Sequence, residues 1–421
     1  MSDEIQLPSD TGQEDEDLDS WSQNVADPPN LINDDENIQY YMAIMRFKRR
    51  FVKNLEYHCD KRREIYKIWA HWLIRILSRR KINYHPLTKL DSETLDEDII
   101  KHMEQNKVSR SRAVETYRDL VDQYNKMHTI FAYNHEKLLG LYEMRLCTDS
   151  KMRNSDVHAE LQGKERLLDL QSKVNFSFFT GGSIYILGLE GTNLSIKLTP
   201  DKFFKLQKMY RGPPDLFLLY LFEYSFNYYL LDGKSLQWSI PGEVFEELRK
   251  FNLRGELFAS PVNHYCSKFY SLFEVDKLFS SQGNFFSLEN DDQLLPSGLY
   301  EVNPPFIEEI FTESTKLIVK LLERSTVPLG FIYIMPGWVD LHGYNFLTGS
   351  KFFAGGTILE RNKHFYFQCS NNKYILACFD TNILIVANKS FKKVNNINKM
   401  LANVKHAFAK DMNLSRLEAL K

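Results

Sequence analysis

The chain has 421 residues, 43% hydrophobic and 14% aromatic, enough to bury a large core and to hold two folded units beside a tail. That composition excludes a wholly disordered chain, and the longest apolar runs, such as Leu216 to Tyr224, stop short of the ~18 to 20 residues that a membrane span needs. The formal net charge of -2 hides an asymmetry: residues 1–36 hold twelve Asp or Glu and no Lys or Arg, and taking those twelve from the 55 acids leaves 43 against 53 basic residues.

The acidic opening lacks a sustained apolar period and includes Pro28-Pro29, so a solvated tail is expected up to about Glu36. It reads either as a solubilising arm or as a segment that docks a partner or shields the basic region beside it. No basic start followed by an apolar stretch opens the chain, and a soluble intracellular protein is expected.

From about residue 37 to 172 the pattern is helical. Ile44, Phe47, Phe51 and Leu55 follow steps of three and four, as do Ile65, Trp69, Trp72 and Ile76. A long helix is expected from about Ser109 to Leu146, and a polar one near Glu160 to Leu170. Between Arg46 and Lys81 thirteen Lys or Arg face three acids, a net +10 that suits a phosphate backbone and equally suits the solvated face of a helical bundle.

After about residue 173 short β-rich runs alternate with helical stretches, the signature of an open α/β sheet. Helices are expected at Leu216–Leu231, Pro241–Phe251 and Phe306–Leu322, and strands at Gly255–Ala259, Leu299–Val302, Leu329–Met335, His364–Gln368, Ile375–Ala377 and Asn382–Ala387. Two antiparallel strands between Tyr374 and Asn388 are expected to close the sheet at its edge. The five cysteines show no CxxC or Cys/His ligand spacing and the eleven histidines no HExxH cluster, so reduced thiols and no metal site are expected.

The segment with the most chemical content is Gly298 to Phe306, a short apolar strand that runs into Asn303-Pro304-Pro305-Phe306 and then a helix. Ligands gather at such strand ends. An amino group on an aromatic base is a poor nucleophile because its lone pair is shared with the ring, so a transferase must hold it with acceptors that favour a pyramidal nitrogen. The Asn303 side-chain oxygen and the Pro304 carbonyl are suited to that, the prolines preset the carbonyl direction, and Phe306 can stack on an unstacked base. The same tetrapeptide also fits an ordinary strand-to-helix turn in which Asn caps and Pro begins the helix. Upstream, Glu256 to Asn263 ends a strand in small and polar residues whose backbone amides could approach a cofactor, although no GxGxG run is present and a helix-capping turn fits as well.

Five motifs in this order carry a resemblance to a known family: Phe258-Ala259-Ser260-Pro261-Val262-Asn263; Phe279-Ser280-Ser281-Gln282-Gly283; Glu301 to Phe306; Pro328-Leu329-Gly330-Phe331-Ile332 leading to Pro336-Gly337-Trp338; and His364-Phe365-Tyr366. Over roughly residues 235 to 370 the chain resembles the cap-specific adenosine N6-methyltransferases related to the phosphorylated-CTD-interacting factor. The resemblance implies an α/β fold, a class I (Rossmann-type) S-adenosylmethionine-dependent methyltransferase domain at 173–421, preceded by an all-α helical domain at 37–172. It implies methylation of N6 of the first transcribed adenosine, itself 2′-O-methylated, beside a 7-methylguanosine cap.

Carried over by position, Asn303, Pro304, Pro305 and Phe306 would be catalytic. Glu256, Ala259, Ser260, Pro261, Asn263, Gly283 and Phe285 would border S-adenosylmethionine. Trp338 would flank the base or cap, unless it is simply core, and Arg49, Arg50, Arg62, Arg63, Arg79 and Arg80 would meet RNA phosphates. The expected partners are capped RNA and the transcription machinery, with no membrane; the chain is expected to act as a monomer in the nucleus, or in the cytoplasm if viral. Two departures stand out: no pair of spaced tryptophans that would mark a WW module precedes the helical region, and Gly337 stands where relatives tend to carry an acid. A methyltransferase acting on a protein amino or amide nitrogen, or a silent RNA-binding scaffold of the same fold, remain alternatives.

Overall fold

The computed structural model describes residues 36–56, 68–74, 97–105, 108–119, 168–179, 184–231 apart from 193, 238–289, 295–338, 341–369 and 372–410, with a few single positions between 65 and 125. The acidic opening therefore lies outside the described residues, as do most of the expected polar helix near 160–170 and the expected helix beyond residue 125.

Ile44, Phe47, Phe51, Ile65, Trp69 and Trp72 of the expected helical stripes bury as a cluster, while the burial of Leu55 and Ile76 lies outside what is described. In α1 (Glu36–Glu56) Phe47 and Phe51 pack on Trp69 and Trp72, with ring centroids 5.2 to 5.9 Å apart. Ile100 and Met103 of α2 (Glu97–Gln105) join them in the same core. A small antiparallel sheet follows, in the order β1 (Val174–Phe179), β2 (Ile184–Leu189), β3 (Ser195–Leu198). The chain continues through α3 (Pro200–Met209) to α4 (Phe217–Leu231). α4 is apolar nearly all round and largely buried, as a helix enclosed by other layers must be. The helical region is tied to its end: Trp69 Nε1 donates to the Leu230 carbonyl at 2.5 Å, and the buried Lys48 donates to the Tyr229 carbonyl at 3.5 Å.

The central sheet has five strands, ordered β5 (Leu253–Glu256), β6 (Gly298–Val302), β7 (Leu329–Pro336), β11 (Thr381–Ala387), β8 (Phe353–Leu359). The first three are parallel and β11 runs antiparallel to both of its neighbours. Every residue of β7 and β11 is buried, because both faces are covered. Ile332, Ile334, Ile383 and Ile385 meet α5 (Gly242–Arg249) and α9 (Ile397–Lys410); the alternate residues Phe331, Tyr333 and Met335 face the side of α6 (Glu308–Arg324) and α4. A third sheet, β10 (Lys373–Leu376), β9 (Phe365–Gln368), β4 (Trp238–Ser239), has its own ladder and packs on the central sheet through Tyr366.

Three expectations need correction. The strands between 374 and 388 do not pair with each other at a sheet edge: β10 pairs with β9, while β11 is inserted between β7 and β8. The edge strand β8 was not expected, since Gly355 and Gly356 break its pattern; a Cβ on Gly356 would stand 2.9 Å from a Leu384 methyl carbon, which would have to shift. The first strand of the central sheet ends at Glu256 rather than Ala259, because Ala259 turns its amide to the Tyr270 carbonyl at 2.9 Å. Two further helices are α7 (His342–Thr348) and α8 (Lys389–Val394), and 3-10 turns occupy Pro214–Leu216, Glu274–Phe279 and Phe285–Glu289.

Candidate active site

β5, β6 and β7 end on the same side of the sheet, where β11 begins. The segments leaving those ends are 257–263, Asn303–Phe306 and 337–338, with 379–380 leading into β11. Such a convergence of strand carboxyl ends is where open α/β sheets hold ligands.

β6 stays in register with β7 through Val302, which pairs with Tyr333. The two prolines then leave the sheet, having no amide to give to a ladder. Asn303 is half-buried and its Nδ2 donates to the Trp238 carbonyl at 3.4 Å, so its Oδ1 is left as an acceptor. The Ile307 amide donates to the Pro305 carbonyl at 2.7 Å, a tight turn that delays α6 to Glu308 and leaves Phe306 outside it. The Phe306 ring is surrounded by Phe379, Phe311, Trp338 and Tyr366, with centroids at 5.4, 6.0, 6.4 and 6.4 Å. Tyr366 is fixed in turn by a hydrogen bond with Thr381 Oγ1 at 3.0 Å, and that oxygen also meets His364 Nε2 at 2.8 Å.

The turn after β5 is held from within and from outside. The Ser260 amide donates to Asn263 Oδ1 at 2.5 Å, and the His264 amide to the Ser260 carbonyl at 3.0 Å. Glu256 Oε1 accepts the amides of Tyr265 and Cys266 at 2.7 and 2.5 Å, so this oxygen organises the far end of the turn. From α3, Lys205 Nζ donates to the carbonyls of Val262 and His264 at 2.9 and 3.2 Å. Burial and then the Lys205 charge lower the His264 pKa to about 4, so its ring, stacked on Phe269 at 4.2 Å, is neutral near pH 7. Opposite the turn, Gly283 has φ of +92° and a Cβ there would meet the Lys277 side chain at 2.7 Å, so glycine is required. Beneath them, Tyr228 donates to Asp276 Oδ2 at 2.8 Å while Asp276 Oδ1 is buried without a hydrogen-bond partner. Burial raises the Asp276 pKa to about 7.

Glu256 and Glu301 are register partners on adjacent strands, and both are buried. Burial raises both carboxyls; Glu256 raises Glu301 further, whereas the Cys266 and Tyr265 amides favour the anion at Glu256. Glu301 is therefore the member that keeps the proton.

Of the residues expected to form a site, the fold brings Asn303 to Phe306 together with Trp338 at one strand-end edge, and places Ala259, Ser260, Pro261 and Asn263 in the neighbouring turn. Phe285 is buried, with its ring 5.1 Å from Phe258. On α1, Arg49 is half-buried and Arg50 exposed, while Arg62, Arg63, Arg79 and Arg80 lie outside the described residues. Sequence reasoning missed Trp238, Phe379 and Lys205, which touch the site only through the tertiary fold. Among the described residues no group of His, Cys, Asp and Glu could hold a metal ion, and no helix is long and apolar enough to cross a membrane.

Comparison with known proteins bears on the middle of the chain. Residues 203–369 match the family model described as "Phosphorylated CTD interacting factor 1 WW domain". Those residues build α3 through β9, hence most of the central sheet; the segment before the helical region, where a WW module was not expected, is outside the described residues. Over 123 residues the chain is 40% identical to the mouse protein named "mRNA (2'-O-methyladenosine-N(6)-)-methyltransferase" and 39% identical over 123 residues to the human protein of that name. The alignment covers 29% of this chain and only 17% of each relative. The resemblance carried by the motifs is thus shown for this central segment.

Proposed function

We propose that this chain transfers a methyl group from S-adenosylmethionine to N6 of the first transcribed adenosine of a capped mRNA, on a class I Rossmann-type domain with the helical region as its neighbour. The observation that carries this reading is the placing of Asn303-Pro304-Pro305-Phe306 at the end of β6, with the amide donor of Asn303 engaged by Trp238 and Phe306 standing among four aromatic rings. The antiparallel β11 between β7 and β8 fits the methyltransferase version of such a sheet, and the names of the mouse and human relatives supply the substrate class.

The residues at the strand ends fit the cofactor. The turn 257–263 and Gly283 offer backbone polar groups, Phe258 an aromatic face, and the buried Asp276 Oδ1, which has no hydrogen-bond partner, a polar atom beneath them. S-adenosylmethionine supplies a methyl group on a sulfonium, already activated for attack. The protein's part is then positioning and polarisation. Asn303 Oδ1 and the Pro304 carbonyl accept the two hydrogens of the adenine amino group, which frees its lone pair for the methyl carbon, and the proton released afterwards passes to water. Phe306 and Trp338 hold the base, and basic side chains of the helical region, Arg50 among them, hold the RNA. Glu256 acts through the turn that it organises. Nuclear placement, where caps are completed, and monomeric action belong to the same proposal.

The test is transfer of labelled methyl to matched RNAs beginning with capped A, uncapped A or capped G, beside Asn303→Ala. Label confined to capped A, recovered as an N6-methylated adenosine and lost in the variant, is expected. Silence on every RNA despite S-adenosylmethionine binding would overturn the RNA reading in favour of a protein substrate.

A further inference from the structure

Among the described residues five phenylalanines are exposed, and four of them, Phe176, Phe178, Phe179 and Phe204, lie on β1 and α3. The register pairs Phe178 with Tyr185, so Phe176, Phe178 and Tyr185 share one face of the small sheet. Their rings are close: Phe176 to Tyr185 is 5.1 Å and nearly parallel, and Phe178 to Tyr185 is 4.9 Å. Tyr185 in turn meets Phe203 at 4.4 Å and Phe204 edge-on at 6.2 Å, which carries the aromatic surface onto α3. Phe176 is 36%, Phe178 47% and Phe204 54% exposed, so open ring surface remains at the margin of a sheet face whose deeper residues, Leu187 and Ile196 among them, are buried in the core.

Cations continue the line. Lys208 lies one helical turn beyond Phe204 on the exposed side of α3, and Arg211 follows it. Arg211 donates to the carbonyls of Lys208 and Tyr210, and among the described residues neither cation meets a carboxylate. The one acid at the start of α3, Asp201, accepts instead from Asn372 Nδ2 at 3.2 Å. The inner side of the same helix grips the candidate site: Lys205 holds the turn 257–263, the Met209 carbonyl accepts Ser280 Oγ at 2.8 Å, and the Arg211 amide donates to the Leu278 carbonyl at 2.8 Å. The exposed cations and rings therefore lie on the outer side of the helix whose inner side holds the candidate site. Exposed aromatic rings with Lys and Arg beside them are what unpaired bases and their phosphates require. An apolar protein partner would have no use for the cations.

We infer that the face formed by Phe176, Phe178, Tyr185, Phe204, Lys208 and Arg211 binds the single-stranded RNA that follows the reacting adenosine, by stacking bases on the rings and pairing phosphates with the cations. This rests on the RNA reading above. The surface extends recognition beyond the cap and first nucleotide, and makes the enzyme prefer long transcripts to short capped ends.

The test compares the full chain with Phe178→Leu, Phe178→Trp and the pair Lys208→Gln, Arg211→Gln, using fluorescence anisotropy on a capped single-stranded RNA of about 20 nucleotides and methyl transfer to a capped trinucleotide. Phe178→Leu, which keeps apolar bulk at an exposed position, is expected to weaken binding of the long RNA about tenfold, whereas Phe178→Trp keeps it. The charge pair is expected to flatten the salt dependence of that binding, by about 0.7 in the log–log slope for each phosphate that no longer meets a cation. Methylation of the trinucleotide stays unchanged in all three. Equal binding by the parent chain and Phe178→Leu, or equal loss in the Leu and Trp variants, would overturn the inference even if capped RNA is methylated. Conversely, ring-dependent binding by a chain that methylates no RNA would uphold this surface and remove the catalytic reading.

Discussion

Asn303 sits in a hydrogen bond that constrains one side of its amide, and the other side is the acceptor that the proposed chemistry needs. Replacing it by alanine leaves the turn, since the prolines and the Ile307 amide hold that by themselves. The expected result is a loss on the order of 10² in kcat for capped A, the scale of one preorganised polar contact to a transition state, with S-adenosylmethionine affinity unchanged by calorimetry. Gly337 allows a second prediction at this scale. Its amide donates to the Asp380 carbonyl at 2.5 Å, and a Cβ there would stand 2.5 Å from the Asp380 Cβ, so Gly337→Ala is expected to destabilise the fold by about 1–3 kcal/mol in urea unfolding. An acidic side chain at position 337 would have no room here; Asp380, against which Gly337 packs, is the acidic residue beside that loop. Glu301 is the third case. Its folded pKa is raised well above the ordinary 4.5, so as pH rises from about that value the unfolded chain has lost a proton that the folded one retains. Stability from this group is fully present at acid pH and falls as pH rises. The melting temperature of Glu301→Gln, neutral at every pH, is expected to fall less between pH 5 and pH 8 than that of the parent, at roughly 1 °C per kcal/mol for a cooperative unit of this size.

At the scale of elements, α3 is the piece on which the site depends without containing a residue first assigned to it. Lys205 links this helix to the carbonyls of Val262 and His264, and a Lys205→Met variant keeps the buried stem while removing both donations. Charge-assisted hydrogen bonds of this kind contribute about 1.5–3 kcal/mol, so an increase of tenfold or more in the S-adenosylmethionine Kd is expected with the fold retained by circular dichroism. Nothing in the spacing of α3 announces this role. What was legible followed periodicity and punctuation: α4 and α5 fell where apolar steps and Pro241 placed them, and β6, β7 and β9 where short apolar runs ended in turn residues. The candidate loop was legible for the same reason, since Asn-Pro-Pro after a buried strand marks where a chain must leave a sheet. The strand partners were not legible. β10 and β11 are close in sequence and each has a strand-like pattern, but pairing is decided by which faces are buried, and only β11 is buried on both. Trp238 and Phe379 were invisible for a related reason: they reach Phe306 and Asn303 across long sequence separations, and no local pattern reports that.

At the scale of the molecule, the helical region is no loose appendage. One continuous core runs from Met42 and Phe47 through Trp69 and Trp72 to α4, and from there to Phe311, Tyr333 and Val386 under the central sheet. A polar link at the junction is well placed, because the buried Trp69 Nε1 meets the last turn of α4, whose carbonyls have no partner within the helix. Two consequences follow from burying this much apolar surface between the parts. Thermal unfolding should be a single calorimetric transition, since neither part can keep its half of the core dry alone. Trp72→Ala, which removes a ring packed on Phe47, Phe51 and Trp69, should cost about 3–5 kcal/mol and should lower the melting of the whole chain rather than of a fraction of it. Two separated transitions in the parent chain, with only the first displaced in Trp72→Ala, would show that the helical region unfolds independently. The site would then have to tolerate movement of the basic face relative to Asn303, and methyl transfer to long capped RNA would fall at the first transition while transfer to a capped trinucleotide survived to the second.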